Sequence, residues 1–204
     1  MSFEPLPISS IGEPLPYADG AEAELLTLFR TVEDRRVGSD ELAAAVRDWP
    51  TAYHLAPERA VLLAPVAIGP DDRVLDMGAG SGVNTRICAD RGAAVTAVEG
   101  SAARAELIAH RCAGMEDVRV LCGPLEGLGD DSRGAYDVVL LVGVLEYSST
   151  GQGGGAGPEA LLTRAVDALN PGGVLVLAIE NRLGLKYLLG FPEDHLGLPW
   201  VGWE

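Results

Sequence analysis

The stretch VLDMGAGSGVNTR, Val74 to Arg86, decides the fold. Val74, Leu75 and Met77 read as a short buried strand, three glycines then turn the chain, and the residues from Val83 read as a helix. Gly78, Gly80 and Gly82 allow a tight turn and let a ligand come close to the backbone. Amides at the start of the next helix are placed to face an anionic or polar group. The spacing is GxGxG, whereas a dinucleotide-binding turn reads GxGxxG, so a nicotinamide site ranks behind other nucleoside ligands. Asp76, at the strand end, is a carboxylate suited to a ligand's amine, directly or through water.

Outward from this turn, strands and helices alternate. The strand expectations are Arg73–Met77, Ala94–Val98, Val118–Leu121, Tyr136–Val142 and Val174–Ile179, short and rich in Val and Leu as in strands covered on both faces. Helices are expected over Val83–Arg91, Ser101–Cys112 and Pro158–Leu169. Strand, helix, strand in succession requires parallel strands with right-handed crossovers, so the fold class is a doubly wound α/β sheet. Glu99, at the end of the second strand, is placed to accept hydrogen bonds from both hydroxyls of a ribose. Gly151–Pro158 reads as a connector, because no strand leads into it and no Lys-Ser/Thr follows.

Upstream lie a proline-spaced arm over residues 1–20 and a helical cap over 21–66. Leu25, Leu26, Leu28 and Phe29 make a helical stripe, Ser39-Asp40 caps a second helix that Pro50 closes, and a third starts at Pro57. The α/β core is assigned to 67–182, and 183–204 to a truncated C-terminal helix and tail.

Composition narrows the partners. Fifteen basic against 30 acidic residues give a net charge of −15, which argues against a nucleic-acid duplex and an anionic membrane surface. The longest strongly apolar run, Val138–Leu145, is far short of the ~20 residues of a spanning helix, and the N-terminus lacks the pattern of a secretory signal. A cytoplasmic protein is therefore expected. Cys88, Cys112 and Cys122 form no CxxC, and no metal cluster is apparent, so reduced buried thiols are expected and no metal site.

The glycine motif with its acid, Glu99-Gly100-Ser101 and the strand after Pro171-Gly172-Gly173 occur in an order that resembles the class I S-adenosylmethionine-dependent methyltransferases, a Rossmann-like fold. The resemblance covers about residues 72 to 180. It implies that Asp76, Gly78, Ala79, Gly80 and Gly82 surround the methionine part, that Glu99 and Gly100 hold the ribose, and that Pro124 and Leu125 border the adenine, with Val142 at the fourth strand's end. Pro124 stands where many members carry an acid, and Tyr147 where many carry His. Tyr53 and Arg59, in the cap, are candidates for the methionine carboxylate, while Arg86 reads as one half of a surface ion pair. His54, Glu146, Glu180 and His195 are the candidate acid–base residues.

YHLAPERAVLL and AIENRLGLKYLLGFPEDHLG further resemble methyltransferase domains of bacterial surface-polysaccharide biosynthesis. That resemblance implies O-methylation of a sugar or glycan-linked acceptor. Two rivals stay open: a non-catalytic cofactor-binding module or fragment of a larger polysaccharide enzyme, and a small-molecule N- or O-methyltransferase of secondary metabolism. The family's sheet has seven strands, and the chain after Glu180 is too short for two more, so the last two are expected to be missing and a further domain or partner chain to cover the edge.

Overall fold

The computed structural model describes residues 4–148, 157–179 and 184–191. Its centre is a parallel sheet of β1 (Ile8–Ser10), β2 (Arg73–Met77), β3 (Ala94–Glu99), β4 (Val118–Cys122), β5 (Tyr136–Val142) and β6 (Leu169–Ala178), in the spatial order β1-β4-β3-β2-β5-β6. Strand order reverses at β2, which pairs with β3 on one side and β5 on the other. The α/β doubly wound expectation is what the chain forms.

Alternation along the strands sorts the core into two faces. Val74, Val95, Val120, Val138 and Leu140 pack with Ile87 and Cys88 of α4 (Val83–Asp90) and with Ile108 and Cys112 in and after α5 (Ala102–Arg111). Leu75, Met77, Val98, Val139 and Leu141 pack on the other face with Leu161 and Ala165 of α6 (Pro158–Ala168). All three cysteines are buried and free.

The cap consists of α1 (Glu22–Thr31), α2 (Asp40–Ala44), α3 (Trp49–Leu55) and a 3-10 turn over Pro57–Leu63. Leu25 and Phe29 of α1 meet Leu107 of α5, which seats the cap on the sheet's helical layer. Ser39 caps α2 as expected, its hydroxyl accepting from the Leu42 amide. Pro50 does not close that helix. It lies in the first turn of α3, where its missing N–H costs nothing, and Asp48 and Thr51 cap each other reciprocally.

Two expectations change. The arm is not merely extended, because Ile8–Ser10 adds a sixth strand beside β4, with Ile8 opposite Val120. The last strand begins at Leu169 rather than Val174, through an irregular register near Asp137. The Asp137 carboxylate absorbs that irregularity by accepting from Asn170 Nδ2 and from the Arg73 amide. The chain ends, within the described residues, at the short α7 (Leu185–Leu188) and the turn after it. No helix among the described residues is long and apolar enough to cross a membrane.

Candidate functional site

The glycine turn joins β2 to α4 at the strand-order reversal. Gly78, Gly80 and Gly82 all have φ between 59° and 77°, a region that side chains disfavour. The Gly78 and Ala79 amides both donate to the Val98 carbonyl, which locks the turn to β3. A side chain at Gly78 would run into Val144, whereas the space in front of Gly80 is open. Backbone is thus presented to a cleft at the carboxyl ends of the strands, where ligands of such sheets sit.

The cleft is open to solvent at its mouth. Its floor is Gly78, with Gly143 and Val144 from the end of β5. The ends of β3 and β4 contribute Glu99, Gly100 and Ser101, and Gly123, Pro124 and Leu125. The cap and the segment after β5 contribute Trp49, Tyr53 and Tyr147. The arm adds Leu15, Tyr17 and Asp19, and α5 adds Arg104.

Glu99 is buried at the rim. Its Oε2 accepts from the Gly80 amide at 2.7 Å and its Oε1 from the Ser101 amide at 2.8 Å. Burial pushes its pKa up, while these amides and the nearby Arg104 pull it back. Each oxygen keeps a further lone pair for a donor in the cleft. Asp76 is placed differently. Strand alternation turns it, with Val74, towards α4, where its carboxylate accepts from Thr85 Oγ1 at 2.6 Å. It is 1% exposed and does not line the cleft; burial pushes its pKa up to about 6, against the pull of the Thr85 hydrogen bond.

The cap candidates separate in the same way. Tyr53 lines the cleft and stacks on Trp49 at 5.4 Å. Arg59 lies over the Tyr53 ring at 4.3 Å and donates to the Tyr53 carbonyl, outside the cleft lining. His54 does not line the cleft. It is 3% exposed, and both ring nitrogens are engaged: Nε2 with Asp19 Oδ2 at 2.8 Å and Nδ1 with Ser81 Oγ at 3.0 Å. Asp19 accepts only, so Nε2 donates to it. His54 thereby ties arm, cap and glycine turn together. Val142 is half-buried at the end of β5, one residue short of the cleft floor. Glu146 lies on a 3-10 turn after β5, and its Oε1 would stand 3.8 Å from a Cβ at Gly143, beside the Tyr53 hydroxyl at 4.0 Å. Glu180 and His195 lie outside the described residues. Arg86 pairs with Asp90 at 2.9 Å, as expected of a surface pair.

Sequence reasoning missed the contributions of the arm and of two arginines. Arg104 is bonded to Asp19 at 2.8 Å and to Glu22 at 3.2 Å, and it stacks on Tyr17 at 4.3 Å. Its place in the first turn after Glu99-Gly100-Ser101 was the available signal. Arg111 is completely buried under the turn, donating to the His54 and Ser81 carbonyls and lying on the Phe29 ring at 4.8 Å. Burial pulls its pKa down to about 10, which leaves it protonated at neutral pH. No cluster of three His, Cys, Asp or Glu among the described residues is placed to hold a metal ion.

Comparison with known proteins gives the family and the fold. A family model described as a methyltransferase domain matches residues 47–204. A ubiquinone biosynthesis O-methyltransferase of Idiomarina loihiensis is 32% identical over 132 residues, covering 63% of this chain and 51% of that protein. A demethylmenaquinone methyltransferase of Tropheryma whipplei is 35% identical over 130 residues, covering 58% and 50%. The chain thus spans about half the length of these relatives. The solved structure of MccD protein, 12% identical, aligns with a TM-score of 0.51 over 67% of this chain and 60% of that one, a likeness of fold.

Proposed function

From the premise that the chain belongs to the methyltransferase domain family, we propose that its cleft binds S-adenosylmethionine and directs the methyl group to an oxygen of a small-molecule acceptor. One observation carries the reading: Glu99 and Gly78 of the glycine turn line one cleft at the strand-order reversal. The residues fit the cofactor. Gly78 brings bare backbone to the cleft, and the Glu99 oxygens suit two vicinal hydroxyls.

The bound cofactor supplies an electrophilic methyl on a sulfonium, so the chain's task is alignment. Glu99 fixes the ribose end. Gly78 and the Val144 side chain against it shape the floor between the two ends. Trp49, Tyr53 and Tyr147 wall the acceptor end and keep water from the reacting oxygen. We assign the acceptor's proton to Glu146, whose Oε1 approaches Gly143 of the cleft lining, as the Tyr53 hydroxyl does.

The flat walls of the acceptor end suit a ring. The two relatives are named for ubiquinone biosynthesis and for demethylmenaquinone, which supports a quinone-class acceptor. A sugar or glycan-linked acceptor is the second reading, favoured by the stretch YHLAPERAVLL in the cap. Val174, Leu177 and Ile179 are exposed at the β6 end of the sheet, which supports a further domain or partner chain there. A cytoplasmic location belongs to the same reading.

Titration calorimetry with S-adenosylhomocysteine tests the core of it. The wild type should bind, and Glu99→Ala should weaken binding by roughly tenfold or more, about 1.4 kcal/mol per tenfold, with the fold intact. No binding by the folded wild type would overturn the reading. Binding without methyl transfer to either acceptor class would favour a non-catalytic module.

A further inference from the structure

The arm does more than complete the sheet. After β1, the Ile11 amide donates to the Cys122 carbonyl and the Leu15 amide to the Gly100 carbonyl, both at 2.9 Å. Gly12 lies against the Pro124 ring. The arm therefore crosses the carboxyl end of β4 and then that of β3. Asp19 closes the crossing by its bonds to His54 and Arg104, and Glu22 accepts from the Asp19 and Gly20 amides.

This path puts a side chain where the sheet has none. Gly100 follows Glu99 directly, lines the cleft, and has nothing beyond its backbone to offer an apolar ligand. Leu15 takes up that space: its Cδ1 lies 2.9 Å from where a Cβ of residue 100 would stand. Leu15 and Leu125 both line the cleft, and Leu15 lies against Gly100, the residue after Glu99. An apolar slot beside a hydroxyl-accepting acid matches a nucleoside, with a flat base on apolar side chains and a ribose at its edge.

We propose that Leu15, delivered by the N-terminal arm in place of a side chain at Gly100, forms the apolar wall that contacts the cofactor's base. The inference rests on the cofactor reading above and adds a residue from outside the α/β core. Leu15 is half-buried and sits on the sheet's rim, so its truncation should leave the core folded.

The test reads binding, not turnover. Calorimetry is run with S-adenosylhomocysteine and with 5′-methylthioadenosine, which keeps the nucleoside and lacks the amino acid. Leu15→Ala should weaken both by about the same factor, roughly tenfold for the loss of a buried aliphatic contact. The second variant moves the side chain. Gly100 does not adopt the left-handed backbone that would bar a side chain, so Gly100→Leu in the Leu15→Ala background should restore affinity to within a few-fold of wild type. Three outcomes overturn the proposal while leaving the cofactor reading intact: wild-type affinity in Leu15→Ala, a loss confined to S-adenosylhomocysteine, or a loss that Gly100→Leu fails to restore. If the folded wild type binds neither compound, the cofactor reading itself fails.

Discussion

Asp76 and Glu99 are two buried acids at neighbouring strand ends, held in unlike ways. Glu99 accepts two backbone amides and faces the cleft, whereas Asp76 accepts from Thr85 among the helices. The consequence for Asp76 is a stability penalty that depends on pH. Its pKa rises from 3.8 to about 6 on folding. Between those values the folded chain keeps a proton that the unfolded chain has released, so this residue's contribution to stability falls as pH rises and stays low above about 6. Asp76→Asn keeps an acceptor for Thr85 and removes the charge. It should therefore stabilise the ligand-free protein at pH 8, on the order of 1–3 kcal/mol, with much less effect near pH 4. Urea unfolding at the two pH values decides it, and an equal effect at both would show that the buried charge is not the cause.

At the scale of elements, the glycine turn depends on what lies against it. Gly78 holds a φ of 73° and abuts Val144 from the segment after β5. Gly78→Ala adds backbone strain and a collision, and should cost about 1–3 kcal/mol. Val144→Ala in the same chain should recover the part due to the collision and leave the strain, which denaturant midpoints of the single and double variants separate. This turn was legible in the sequence because its demands are local, three glycines between a strand and a helix. Arg73–Met77 and Tyr136–Val142 were legible for the same reason, since short runs of Val and Leu are written within each segment. The arm was not. Nothing within Ile8–Ser10 says that it pairs with Val120, and the place of Leu15 over Gly100 follows only once that register is set. Asp19, His54 and Ser81 were hidden likewise, three polar residues of ordinary type from three elements that meet only in the fold. Pro50 misled because proline is tolerated at the start of a helix as readily as it ends one, and only the Asp48–Thr51 cap decides between them.

For the whole molecule, the net charge of −15 gains a role once the cleft is assigned. An acidic protein repels itself, which favours solubility, and it gathers cations at its surface. S-adenosylmethionine carries a sulfonium and an ammonium against one carboxylate, a net single positive charge. S-adenosylhomocysteine has lost the sulfonium and is neutral overall. The protein's field therefore speeds arrival of the substrate form and gives the product no such pull. Salt screens this attraction over a Debye length of about 10 Å at 0.1 M. The expectation is that the association rate of sinefungin, a stable analogue with an amine in place of the sulfonium, falls several-fold between low and high salt, while that of S-adenosylhomocysteine barely changes. Trp49 in the cleft wall supplies a fluorescence signal for stopped-flow measurement. Equal salt dependence for the two compounds would mean that the acidic surface plays no part in capture, and that groups local to the cleft, Glu99 and the Asp19–Arg104 pair, govern it alone.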